Sequence, residues 1–362
     1  MKRYLIVALC LCLLICCGCS EETKPADTGV IPIPETTDNV TVPATTQSVE
    51  EQQIYRNPLN GQILEEPYQG RVVAVVINNI RDALPHYGVS GADIFYEAET
   101  EGGITRCLAI FSNPEQIGTI GPVRSVRTFF NSLALSHDAA IFYCGGSVRG
   151  RAGYAAIDGD KIQDWMEVDQ RVNDPYFFRD EQRYNSGYAW EHTLFTSGEK
   201  LQKAVSAKGY DSASLISQPM EFAEQVTLEG EPHSELVVNF ADGKTSSFTY
   251  DTEDQFYYME QYGSPYIDAN NGEQMAFRNV IVLSTKQSYS HDGEYLRSYY
   301  DLVGEGEGVL AIGGKNVAIH WSRDNLLDSI VYTMEDGSLV TFAEGNTYVA
   351  IVGDKAEPVT IS

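Results

Sequence analysis

The chain has 362 residues and a formal net charge of -26, with 51 acidic side chains against 25 lysines and arginines. A chain this acidic repels nucleic acid and anionic lipid headgroups, so bulk charge disfavours polyanion binding and any anion site has to be local. A hydrophobic fraction of 43% with 11% aromatic residues is that of a globular protein and excludes a wholly disordered one.

In chain order, Lys2 and Arg3 precede an uncharged run from Tyr4 to Cys17, the basic start and apolar core of an export signal too short to span a membrane. The run closes in Cys16-Cys17-Gly18-Cys19-Ser20, where a small residue directly before a cysteine suits a lipoprotein signal peptidase. Residues 1–18 therefore read as a lipoprotein signal peptide and Cys19 as the lipidated first residue of the mature chain. At about 0.8 kcal/mol per buried methylene, two acyl chains make a stable anchor where one would be reversible. The segment 19–54 is rich in Thr, Pro and acids and has no aromatic residue, the composition of a disordered tether. The expected location is the outer face of a bacterial cytoplasmic membrane, with the lipid as the only membrane contact.

An α+β fold is expected beyond the tether, an N-terminal α/β domain over 55–215 followed by a mainly antiparallel β domain over 216–362. Val72 to Ile77 is a β-branched apolar run that predicts a central strand, and Ile94 to Glu99 and Ile104 to Phe111 predict two more around the Gly102-Gly103 turn. After Gly121-Pro122, the segment VRSVRTFFNSLALS has Val123, Val126, Phe129, Phe130, Leu133 and Ala134 at helical spacing. Ala139 to Tyr143 reads as a buried strand and Gly198 to Lys208 as an amphipathic helix. From about Glu221, short alternating runs are broken by Asp242-Gly243, Asn271-Gly272, Asp292-Gly293 and Asp336-Gly337, all hairpin signals. Five of the seven cysteines lie in the first 19 residues, leaving Cys107 and Cys144 as either a disulfide or two buried thiols. They make no zinc motif, and no metal or cofactor is expected.

The stretches RVVAVVINN (71–79), SGADIFYEAE (90–99), EGGITR (101–106), IGPVRSVR (120–127), HDAAIFYCGGS (137–147), FFRD (177–180), FRNVIVL (277–283), GEGEGVLAIGGK (304–315) and DGSLVTFAEGNTYVAIV (336–352) occur in an order that resembles the YerB-like lipoproteins. The resemblance covers nearly all of the folded part and implies a two-domain exported plan with no activity to transfer. Glu191-His192-Thr193 departs from the Pro-His-Asn-like loop that the resemblance leads one to expect.

Chemistry has to be sought in the residues themselves. If a helix begins just after Gly121-Pro122, Arg124 and Arg127 share one of its faces, and with Ser125 and Arg106 they form a candidate anion-binding set. The same arginines can equally be ion-paired to Glu97 or Glu101. Glu97, Glu99 and Glu101 alternate, which on a regular strand places three carboxylates on one face. Glu97 or Glu101 with His192 is the candidate acid/base group for a hydrolase or transferase acting on an envelope polymer. GEGEG at 304–308 lacks phosphate-loop chemistry, because two glutamates oppose phosphate, and reads as a strand or turn. The leading expectation is a non-catalytic binding protein for a cell-wall component, an envelope protein or an anionic ligand.

Overall fold

Seven consecutive apolar or amide residues, Val73–Asn79, are buried without exception, which only a strand covered on both faces allows. In the computed structural model, which describes residues 53–151, 167–171, 174–241, 243–354 and 359–362, this strand lies inside an eleven-stranded sheet. Its neighbours are the antiparallel Ile104–Phe111 and the parallel Ala140–Tyr143 strands. Ile94–Glu101 pairs antiparallel with Ile104–Phe111 around two left-handed glycines, Gly102 and Gly103. On its other edge Ile94–Glu101 runs parallel to Thr347–Gly353, which pairs in turn with Asn279–Thr285. The two halves of the chain thus share one sheet.

Each face of that sheet buries its own core. On one face, Val72, Ala74, Tyr96, Leu108 and Ile110 pack against Phe129, Phe130 and Leu133 of the Thr128–Leu135 helix and against Trp321 from the second half. On the other, Val73, Val75, Phe95 and Cys107 pack against Leu236, Val238, Phe248 and Tyr257 of a six-stranded antiparallel sheet, with Leu201 and Val205 of the Gly198–Lys208 helix beside them. Cys107 and Cys144 are free thiols, the first buried and the second donating to Gln170 Oε1 at 3.2 Å.

The expected α/β layer for the N-terminal half needs correcting. The described chain is mainly β, with several sheets and few helices. Ile94–Glu101 and Ile104–Phe111 pair antiparallel through a tight hairpin and need no crossover helix between them, and Val73–Asn79 joins Ile104–Phe111 antiparallel as well. The helix after Gly121-Pro122 is also shorter than its apolar spacing predicts, starting at Thr128. Neighbouring strands take the backbone before it: Val123 N–H donates to Leu194 O, Arg124 N–H to Val76 O and Val126 N–H to Gly145 O. With those groups committed, residues 123–126 stay extended. Gly121 is required there because a Cβ would stand 2.8 Å from the Phe195 ring at a φ of +142°.

In the C-terminal half, Gly243, Gly272, Gly293 and Gly337 all take the left-handed conformation that their turns demand; Asp242 lies outside the described residues. GEGEG forms the start of the Gly304–Ile312 strand, where a Cβ on Gly306 would meet Trp321 Nε1 at 2.5 Å. Cys19, the signal segment and residues 19–52 of the tether lie outside the described residues. Among the described residues no helix is long and apolar enough to cross a membrane.

Candidate functional site

Glu97, Glu99 and Glu101 do not share a face, because a β-bulge between Glu99 and Glu101 inserts Thr100 into the ladder with Thr105 and Ile104. One extra residue reverses the side-chain alternation. Glu97, opposite Cys107, points toward the six-stranded sheet, whereas Glu101 turns to the opposite face, the side of Arg106.

Glu97 is completely buried. Lys244 Nζ stands 2.8 Å from its Oε1, which also accepts from Thr105 Oγ1 at 2.6 Å and Asn79 Nδ2 at 2.8 Å. Its Oε2 accepts from Ser246 Oγ and Tyr348 O–H, both at 2.8 Å. Burial pushes this carboxyl up, but Lys244 and the donors outweigh it and hold the group below its usual range. Lys244 is completed by Gln261 Oε1 at 2.9 Å and Ser246 Oγ at 3.1 Å. Among the described residues no arginine reaches Glu97. Lys244 was legible in principle, since Lys244, Ser246 and Phe248 alternate onto the buried face of one strand.

Glu101 has a different environment. Arg127 clamps it with Nε at 3.0 Å from Oε2 and Nη2 at 2.5 Å from Oε1. Arg106 Nη2 adds a contact at 3.2 Å, and Arg297 Nη1 stands 2.8 Å from Oε2. Burial would raise the carboxyl, yet the three arginines hold it down to about 2. It therefore carries no proton to donate near neutral pH. Arg106, Arg127 and Arg297 are 4%, 3% and 8% exposed, so three cations are gathered in a largely dry place around one directly paired anion. Arg106 Nε, Arg297 Nε and Arg297 Nη1 have no hydrogen bond among the described residues, the last because it approaches Glu101 out of line. Nothing around Arg297 in the sequence marked it for this cluster.

Arg124 and Arg127 do not share a helix face. Arg127 is the N-cap residue of the Thr128–Leu135 helix and donates from Nη1 to Val126 O at 2.8 Å. Arg124, on the extended segment before it, is partly exposed and meets Glu191 at 3.5 Å, while its Nε has no hydrogen-bond partner among the described residues. The Ser125 carbonyl accepts from Arg106 Nη1 at 3.1 Å and Arg127 Nη1 at 3.3 Å. The backbone of Ser125, not its hydroxyl, serves the cluster.

His192 is buried at the end of a short 3-10 turn, with Nδ1 2.8 Å from Asn78 Nδ2. An amide NH2 can only donate, so Nδ1 accepts and the ring's proton sits on Nε2. Burial, then the charge of Arg124, lowers its pKa and keeps the ring neutral at pH 7. It lines a hollow of about 410 Å³ with Arg81, Asp82 and Tyr188. Arg106, Arg127 and Glu101 thus form one cluster, with Arg124 beside it. His192 adjoins Arg124 alone, and Glu97 lies across the sheet. Among the described residues no group of three or more His, Cys, Asp or Glu side chains is placed to hold a metal ion.

Residues 59–211 match the family described as "Protein of unknown function (DUF3048) N-terminal domain", and residues 236–349 match its C-terminal domain. The chain is 30% identical over 293 residues to "Putative lipoprotein YerB" of Bacillus subtilis (strain 168), covering 78% of this chain and 82% of the relative. It is also similar to the crystal structure of YerB protein from Bacillus subtilis, with a TM-score of 0.71 and 28% identity over 85% of this chain and 99% of the other.

Proposed function

Because the chain belongs to the DUF3048 family, we propose that it is a lipid-anchored binding protein at the outer face of a bacterial cytoplasmic membrane, whose arginine cluster captures an acidic group of a cell-envelope partner. The location rests on the 1–18 signal and Cys19, and is supported by the relative's description as a lipoprotein. One observation carries the binding role. Arg106, Arg127 and Arg297 converge on the single carboxylate of Glu101 and, with Arg124, leave guanidinium nitrogens that have no hydrogen-bond partner among the described residues. Buried cations in excess of their counter-charges are costly, and an incoming anion relieves that cost. Arg124, the most exposed of the four, is where such an anion is first met.

Binding is favoured over catalysis because the candidate acid/base residues are not assembled. Glu97 is sealed on Lys244, Glu101 is held ionised, and His192 touches neither. Calorimetric titration of the full chain with a soluble poly(glycerol phosphate) fragment tests the proposal. Saturable binding that weakens with salt and is lost in Arg124→Ala is expected. Absence of binding at low ionic strength overturns it.

A further inference from the structure

A cleft of about 660 Å³ lies elsewhere on the molecule, between the first described residues of the chain, the loop that follows the Ile104–Phe111 strand and the Gly198–Lys208 helix. It shares no residue with the arginine cluster, and its size falls in the range of small-ligand sites. Its polar lining is dominated by neutral amides: Asn60, Gln62, Asn113, Gln116 and Gln202, with the ring of Tyr68 among them. The side chains of Gln62, Asn113, Gln116 and Gln202 make no hydrogen bond to another described residue. Each brings both a donor and an acceptor to the cleft.

The charged groups in the lining are largely committed elsewhere. Among the described residues Arg71 is the one cation in it, and all three of its guanidinium nitrogens are used: Nε on Tyr210 O, Nη1 on Asp138 and Nη2 on Ser212 Oγ and Ala213 O. Asp93 is buried and accepts from Asn60 Nδ2 at 2.5 Å and Ser112 N–H at 2.6 Å, and burial lifts its carboxyl above the ordinary range. Glu115 is the other acid in the lining and is exposed. A phosphate or carboxylate finds no uncommitted cation here. Tyr68 is half-buried: its ring packs against the apolar core and its O–H donates to Ser112 O at 2.9 Å, so the part of the ring that lines the cleft is held in place.

We infer that this cleft binds a neutral saccharide, its hydroxyl groups paired with the amides of Gln62, Asn113, Gln116 and Gln202 and one sugar ring laid on Tyr68. Planar amides both give and accept hydrogen bonds, as sugar hydroxyls require, and an aromatic ring with a tethered hydroxyl offers a rigid face to an apolar sugar surface. The inference does not rest on the anion reading, and the two sites can fail separately.

The test is calorimetric titration of the full chain with neutral tetrasaccharides: an N-acetylglucosamine tetramer, cellotetraose and maltotetraose. At least one is expected to bind saturably, with an affinity insensitive to salt. Gln116→Ala combined with Gln202→Ala should weaken that binding by about tenfold or more, from the loss of two hydrogen-bonding partners, while Arg124→Ala leaves it unchanged. Both glutamines carry no internal bond, so the double variant should keep its melting temperature. Tyr68→Leu provides a second measurement and should also lose affinity. No saturable binding of any of the three sugars overturns the inference, as does binding that the glutamine variant leaves intact.

Discussion

Glu97 and Glu101 lie on one strand, four positions apart, yet they show two ways of keeping a carboxylate inside a protein. Glu97 is matched: one lysine opposes it, four donors complete its oxygens, and Gln261 completes the lysine. Glu101 is outnumbered, with three arginines competing for two oxygens. The first arrangement is finished without anything from outside and joins the two halves of the chain, whereas the second has donors to spare. A closed network of this kind contributes to holding the fold, and an open one is where a ligand has something to complete.

The largest expected effect breaks the matched site. Lys244→Met should cost about 3–5 kcal/mol, because it strands an ionised carboxylate in a dry core, and urea unfolding should show the loss without added ligand restoring it. Glu101→Gln should cost less, about 1–3 kcal/mol, since it leaves three partly relieved cations together. Here phosphate or sulfate should raise the melting temperature of the variant more than that of the parent. Equal rescue of both proteins would mean that the arginines are already satisfied.

A pH titration sharpens the contrast further. Glu101 is held down to about 2, so its contribution to stability is complete above the ordinary carboxyl value of 4.5 and is lost as pH falls from there toward 2. Acid unfolding of Glu101→Gln should lack that portion of the transition. The smallest effect belongs to Arg124→Ala, which removes a partly exposed pair and should change stability by under about 0.5 kcal/mol. Thermal melting checks this, and a large loss would mean that Arg124 holds the fold and not a ligand.

Much of the sheet was readable from periodicity. The runs at 73–79, 94–101, 104–111 and 140–143 are short and rich in β-branched or aromatic residues, and the Gly198–Lys208 helix has its start and its Gly209 stop written locally. What escaped depends on distant partners. The apolar spacing of Val123 and Val126 mimics a helix, but Val76, Leu194 and Gly145 capture their backbone. The bulge that parts Glu101 from Glu97 leaves no mark in alternating acids. Arg106, Arg127 and Glu101 come together from nearby segments, while Arg297 and Lys244 reach these sites from the other half of the chain, so no local pattern names their partners even where, as at Lys244, alternation marks the residue as buried.

The parallel pairing of Ile94–Glu101 with Thr347–Gly353 also sets an order of events. A chain made from its N-terminus exposes the free edge of the earlier strand until some 250 residues later its partner emerges. Closing so long a loop is slow, and an open edge in the interval invites pairing with other chains. Folding of the sheet can therefore finish only after the Thr347–Gly353 strand is available. A truncation before residue 347 removes the middle of the sheet, although it trims only the end of the chain.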